Sequence, residues 1–307
     1  MTDTTLTHRT GSIPAIGDWF MERLPGIYMV LFFLYMFLPL VFMMIAAFNT
    51  TAVPPTALPF EGFTLKWFGA LFANAPLLAA IGNSLVIGLG VIVLSLTLGL
   101  SGALLITRLH ARSKSALYAI LVSPLLTPGI ILGISTLVFW NSAGIPGGLF
   151  VATLAQSTFI ASYCMLMFIA RLQRFDSGLE EAALDLGASH QQVFWHVTVP
   201  FLKPTIITAG LIAFLQSFEN FNTTVFAIGT ETTLTIKLAA LARKTPTPEV
   251  NALAVIFIAL TVVMAILYEV KRRSDAAREK VMAERAKQAE KEMVSLDIDK
   301  VAATTAA

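Results

Sequence analysis

The chain has 307 residues, with 21 Lys+Arg, 19 Asp+Glu and a formal net charge of +2. Only 13% of residues are charged and 56% are hydrophobic, with a mean hydropathy of +0.76, whereas a soluble domain carries about 25% charge. That balance excludes a water-soluble fold and a disordered chain, and a lone Cys164 excludes a disulfide scaffold.

What remains is an all-α polytopic membrane protein. A crossing needs about 20 apolar residues to span roughly 30 Å of hydrocarbon. In chain order, the apolar runs predict six spans, at 27–48, 83–106, 116–140, 149–170, 205–228 (with one acid inside it) and 250–268. The uncharged run 115–170 is too long for one helix, and the turn-forming stretch Asn141–Gly148 divides it. The first apolar run is too long for the core of a signal peptide, so it is expected to stay as an anchor. Residues 1–26 form an N-terminal segment, 27–270 the membrane domain and 271–307 a charged tail. Residues 271–300 hold 16 of the formal charges, and the tail reads as a solvated helix with a frayed end.

Between the first two spans, Gly62–Phe68 reads as amphipathic, with Trp67 at headgroup depth. Gly88, Gly90, Gly99 and Gly102 in the second span are expected at close helix contacts. Pro124 and Pro128 in the third span each remove a backbone hydrogen bond. They predict a kink, either static or serving as a hinge. Cys164, alone in the fourth span, reads as a small apolar filler.

Six spans put both termini on one side. One set of segments carries Arg9, Arg23, Arg108, Arg112, Lys114, Arg171, Arg174, Lys203, Lys271, Arg272 and Arg273. The other carries Lys66, Lys237, Arg243 and Lys244. The excess of basic residues marks the first set, with both termini, as cytoplasmic. The loops 49–82, 141–148 and 229–249 then lie outside.

The segment Arg171–Lys203 is too long for a simple turn. It reads as helix, turn, helix. Asp176 or Ser177 caps the first helix, with Glu180 at capping-box distance from Ser177. Leu179, Ala182, Ala183 and Leu186 share one apolar face, opposite Glu180, Glu181 and Asp185. Gly187 signals the C-terminal cap, a second helical stretch follows from Ser189 to Val199, and Pro200 is expected to end it. Periodicity leaves two roles open, lying on the membrane or docking into a groove on a partner.

Glu181-Ala182-Ala183, three residues, Gly187, nine residues, Val197, one residue and Val199-Pro200 resemble the EAA motif of ABC-importer permeases. Val replaces the usual Ile and Leu at two positions. Phe63–Phe68, Asn83-Ser84-Leu85, Ser217–Phe221 and Pro248–Leu253 resemble the spermidine/putrescine-type second permease subgroup in particular. The resemblance covers about 60–270 and implies a type I importer permease fold. It also implies a coupling helix that meets a separate ATPase through Glu180, Glu181, Ala182, Ala183, Asp185, Gly187, Ala188 and Pro200. The implied partners are two ATP-binding subunits, a second and different permease chain, and an external solute-binding protein. The sequence has no G-x-x-x-x-G-K-[ST], so this chain is not expected to be the ATPase. The resemblance implies that ATP and magnesium are bound by the partner and no cofactor by this chain.

Glu219 lies in the fifth predicted span, and Gln216, Glu219, Asn220 and Thr223 share a helical stripe. A charge at that depth costs at least about 2.5–3.5 kcal/mol. The stripe faces a solute path that favours a cation, or Glu219 makes an internal hydrogen bond in its protonated form. The four histidines are scattered and no metal-ligand cluster stands out. A stand-alone secondary transporter is the alternative, but it predicts inverted repeats and several buried charges, and neither is evident. A membrane enzyme would need more than Glu219. Of the candidate solutes, spermidine, putrescine or a related small organic molecule fits the subgroup resemblance.

Overall fold

The computed structural model describes residues 16–51, 55–108, 113–243, 247–264, 266–267 and 269–274. The expectations for the first 15 residues, for Arg112 and Lys244 and for the tail beyond 274 lie outside the described residues. The described residues are helical apart from short connections, and an isolated bridge joins Asn49 to Phe63. In chain order the helices are α1 Ile16–Phe48, α2 Lys66–Ala73, α3 Ala75–Arg108, α4 Lys114–Leu126, α5 Gly129–Ser142 and α6 Leu149–Leu172. Then follow α7 Gly178–Asp185, α8 His190–Val193, α9 Val199–Phe218, α10 Thr224–Ala227, α11 Leu234–Arg243 and α12 Pro248–Ser274.

The chain falls into two compact units, one within 1–68 and 247–307 and the other within 69–246. In the first, Asn49 is fully buried where α1 ends and organises the loop that follows. Its side-chain amide donates to the carbonyls of Thr56 and Pro59 and accepts from the Glu61 amide. The Trp67 indole donates to the Asn49 carbonyl at 2.8 Å. Gly62–Leu65 is therefore non-helical loop, and the amphipathic stretch Gly62–Phe68 enters a helix at Lys66.

The second unit is built on α3, α6 and α9. Its core joins Ile87, Val91 and Ala103 of α3 with Ala152, Ala155, Cys164 and Phe168 of α6, and Leu202, Ala209 and Ala213 of α9. Small residues let these backbones approach. A Cβ at Gly99 would stand 2.9 Å from the Ala161 carbonyl oxygen and 2.8 Å from the Cys164 Cβ. Gly88, Gly90 and Gly102 likewise meet Phe214, Thr153 and Met165. Their packing role and the filler role of Cys164 are borne out.

Among the described residues, five helices are long and apolar enough to cross a membrane, and there are six if the bent pair α4 and α5 is counted as one broken span. The single span expected at 116–140 is corrected here, because α4 and α5 meet at 104°. Pro128 disfavours the helical region for the residue before it, and Thr127 is extended at ψ 131. Pro128 itself is at ψ 133. The result is a break rather than a kink. The pair runs the length of α6: Lys114 and Ser115 border its C-terminal end at Leu172, whereas Trp140 packs edge-on against Phe150 near its start.

The fifth expected span, 205–228, is displaced. The helix runs continuously from His190 to Phe218, then stops. Pro200, expected to end the second helical stretch and to open the fifth span, does stand in the first turn of α9, but the helix continues through it without ending. A π-turn at Phe194–Thr198 precedes it, with the Val199 amide reaching back to Phe194. Proline cannot donate to the carbonyl four residues back and its ring crowds that carbonyl. The wider turn accommodates both effects without breaking the rod.

Candidate functional site

Both chain breaks meet at one place. Thr127 and Gly129 from the first, and Glu219, Asn220, Phe221, Asn222 and Thr223 from the second, line a cavity of about 410 Å³ with Gln216, Phe159 and Leu132. The four polar residues expected to form a stripe therefore share this cavity, but a helix does not align them. Helical geometry ends at Phe218, and Glu219 is the C-cap residue. Beyond it, the Asn220 side chain accepts from the Thr223 amide at 3.1 Å, folding the chain into a local turn. The Thr224 hydroxyl donates to the Asn220 carbonyl at 2.8 Å, and the Thr235 hydroxyl reaches the same oxygen at 3.3 Å.

The break is held from α5 as well. A Cβ at Gly133 would overlap the Thr223 carbonyl, and one at Gly129 would stand 2.8 Å from the Thr223 hydroxyl. That hydroxyl is buried and has no hydrogen-bond partner among the described residues. The Glu219 side chain is exposed to the cavity opening, and among the described residues it makes no ion pair.

Gln156, which the sequence did not single out, secures the arrangement from α6. It is 1% exposed. Its amide nitrogen donates to the Thr224 hydroxyl at 2.6 Å, and its carbonyl oxygen accepts from the Ser217 hydroxyl. It therefore ties together the two sides of the break. A lone amide in an uncharged span is the signal that could have found it, because such a group must find a partner inside the layer.

A second cluster lies at the other end of α9. The carboxylate of Asp176, rather than Ser177, accepts from the Gly178 amide at 2.9 Å to open α7. At its C-terminus, Ala188 N–H bonds the Ala183 carbonyl and Gly187 N–H bonds the Leu184 carbonyl. This double closure needs a left-handed residue, and Gly187 supplies it at φ +88. A capping box, not foreseen, then starts α8, with Ser189 and Gln192 each accepting from the other's backbone.

No side chain of α7 is buried. Glu181, Ala182 and Asp185 are exposed, as are Leu179 and Leu186, the latter at 90%. Ala183 and Ala188 are half-buried, and Pro200 is exposed at the start of α9. Glu180 differs from Glu181. The same carboxylate oxygen accepts from Arg108 of α3 at 2.7 Å and from the Thr198 hydroxyl at 2.6 Å. At the neighbouring position, Arg171 of α6 donates to the Phe201 carbonyl and stacks on its ring at 4.1 Å.

Residues 95–273 match the family of binding-protein-dependent transport system inner membrane components. The chain belongs to this family. Among curated proteins, it is 28% identical over 249 residues to the spermidine/putrescine transport system permease protein PotC of Haemophilus influenzae, covering 81% of this chain and 96% of that one. It is 29% identical over 259 residues to the putrescine transport system permease protein PotI of Escherichia coli, covering 81% and 91%. Among solved structures, it resembles a chain of a bacterial ABC transporter that imports the acidic polysaccharide alginate. The TM-score is 0.63 at 14% identity over 85% of this chain and 99% of that chain. A second structure of an alginate transporter, in complex with a pentasaccharide-bound periplasmic protein, gives 0.60 at 17% identity over 82% and 93%. These agree on the fold of an ABC-importer permease subunit in a multi-pass membrane protein. The family assignment displaces the stand-alone secondary transporter.

Proposed function

We propose that this permease subunit forms half of the pathway for a small organic cation of the spermidine/putrescine class. The observation that carries the reading is the carboxylate of Glu219 at a cavity between two broken spans. Breaks of this kind are tolerated at membrane depth where they line a cavity, and an intramembrane acid is a functional candidate by default. Gln216, Asn220 and Thr223 add polar groups to the wall, and Phe159 and Phe221 add aromatic surface suited to an ammonium group. Permeases named for spermidine and putrescine are among its relatives.

Energy for transport comes from a separate ATPase. The exposed residues of α7 and its cap, Glu181, Ala182, Asp185 and Leu186, dock into a groove of that subunit. Gly187, Ala188 and Pro200 shape the link to α9. Two ATPase chains, a different second permease and an external solute-binding protein complete the transporter, and ATP and magnesium are held by the ATPase. The N- and C-termini and α7 face the cytoplasm of a bacterial inner membrane. Arg108, Lys114, Arg171, Arg174 and Lys203 cluster at the α7 end in support of this orientation.

The test is uptake by a Glu219→Gln variant in the complete transporter, with ATP hydrolysis recorded in parallel. Loss of the charge is expected to lower uptake efficiency for a dication about tenfold, the equivalent of ~1.4 kcal/mol, with ATPase activity retained. Unchanged uptake kinetics would refute the pathway role.

A further inference from the structure

We infer that Glu180 is a positioning residue, a latch that ties α7 to two membrane helices, rather than part of the surface offered to the ATPase. The inference rests on the proposed docking of α7 and assigns its two adjacent glutamates opposite directions. Glu181 is exposed, whereas the Glu180 side chain is only 20% exposed. One oxygen of Glu180 holds Arg108, the last residue of α3, and Thr198, which is fully buried in the π-turn leading into α9.

The need for a latch follows from how α7 is held. It has eight residues and buries none of them, so apolar packing gives it little purchase on the rest of the unit. Hydrogen bonds to a charged acceptor are short, directional and stronger than neutral ones. A displacement of α7 is thereby passed to α3 and α9 together. The α9 rod continues from Thr198 to Phe218, roughly 30 Å at 1.5 Å per residue, and delivers the motion to the break that lines the cavity. The stack of Arg171 and Phe175 on Phe201 steadies the same end of α9 but does not engage α7 itself.

The test uses the complete transporter reconstituted in liposomes. ATPase retained on purification, ATP hydrolysis and solute uptake are measured for Glu180→Ala, Arg108→Gln and Thr198→Val. Thr198 is the discriminating position, because a buried hydroxyl cannot touch a partner chain and Val preserves its shape. Each variant is expected to keep its ATPase while uptake per ATP hydrolysed falls about fivefold or more, as loss of a bond to a charged group implies. Thr198→Ser, which keeps the hydroxyl, is expected to retain the ratio. An unchanged ratio in Thr198→Val and Arg108→Gln would overturn the latch. So would loss of the ATPase in Glu180→Ala with normal coupling in Thr198→Val, which would assign Glu180 to the partner. Absence of ATPase from the unaltered transporter would instead refute the docking of α7, and the latch with it.

Discussion

Replacing Gln156 with Leu tests how the cavity is built. The substitution keeps bulk but removes the amide that bonds Ser217 on one side of the chain break and Thr224 on the other. Thr224 retains its bond to the Asn220 carbonyl, whereas Ser217 loses the partner shown for its hydroxyl. Interhelical hydrogen bonds in membranes contribute about 0.6 kcal/mol on average and up to about 1.7. Two bonds between buried groups therefore amount to ~1–3 kcal/mol, within the usual cost of leaving a buried hydroxyl unpaired. That loss falls on the segment 219–223, which carries the cavity-lining polar groups. The expected outcome in the reconstituted transporter is a raised KM for uptake, with ATPase retention unchanged. The thermal midpoint of the detergent-solubilised protein is expected to fall by several degrees, about 2–4 °C per kcal/mol for a unit of this size. An unchanged KM together with an unchanged midpoint would refute the account of how the break is held.

Gly99→Val places a side chain against the Ala161 carbonyl, where backbone must move, and is expected to reduce the folded chain recovered from the membrane, measured by detergent gel filtration. Gly187→Val forces a β-branched residue to φ +88, at a cost of about 1–2 kcal/mol; uptake is expected to fall while the chain still reaches the membrane, as membrane fractionation would show. Glu181→Lys reverses a charge on the proposed docking face and is expected to reduce the ATPase recovered on co-purification.

The apolar runs were legible because a hydrocarbon layer imposes both length and the absence of charge. The pattern around Glu181 and Gly187 was legible because a capped helix with a left-handed exit has a short local signature. The breaks were not. Thr127-Pro128 occurs within an apolar run, where proline reads as a kink, and the perpendicular course of α5 depends on Gly129 and Gly133 meeting Thr223. Residues 219–223 contain neither Gly nor Pro, so their spacing is compatible with a continuing helix. Bonds from Gln156 on α6 and Thr235 on α11 instead support a turn there. Glu180 and Glu181 are neighbours in sequence, and only the positions of Arg108 and Thr198 distinguish the inward one. Sequence separations of 72 and 18 residues put those partners beyond local reading.

The central claim is that ATP hydrolysis in a partner drives a small organic cation through a path that this chain shares. Its most direct measurement is uptake of labelled spermidine and putrescine into proteoliposomes holding both permeases, the ATPase and the external binding protein. The account predicts accumulation that needs ATP on the ATPase side. Accumulation driven by an ion gradient without ATP, or no uptake of either cation by a transporter that hydrolyses ATP, would contradict it.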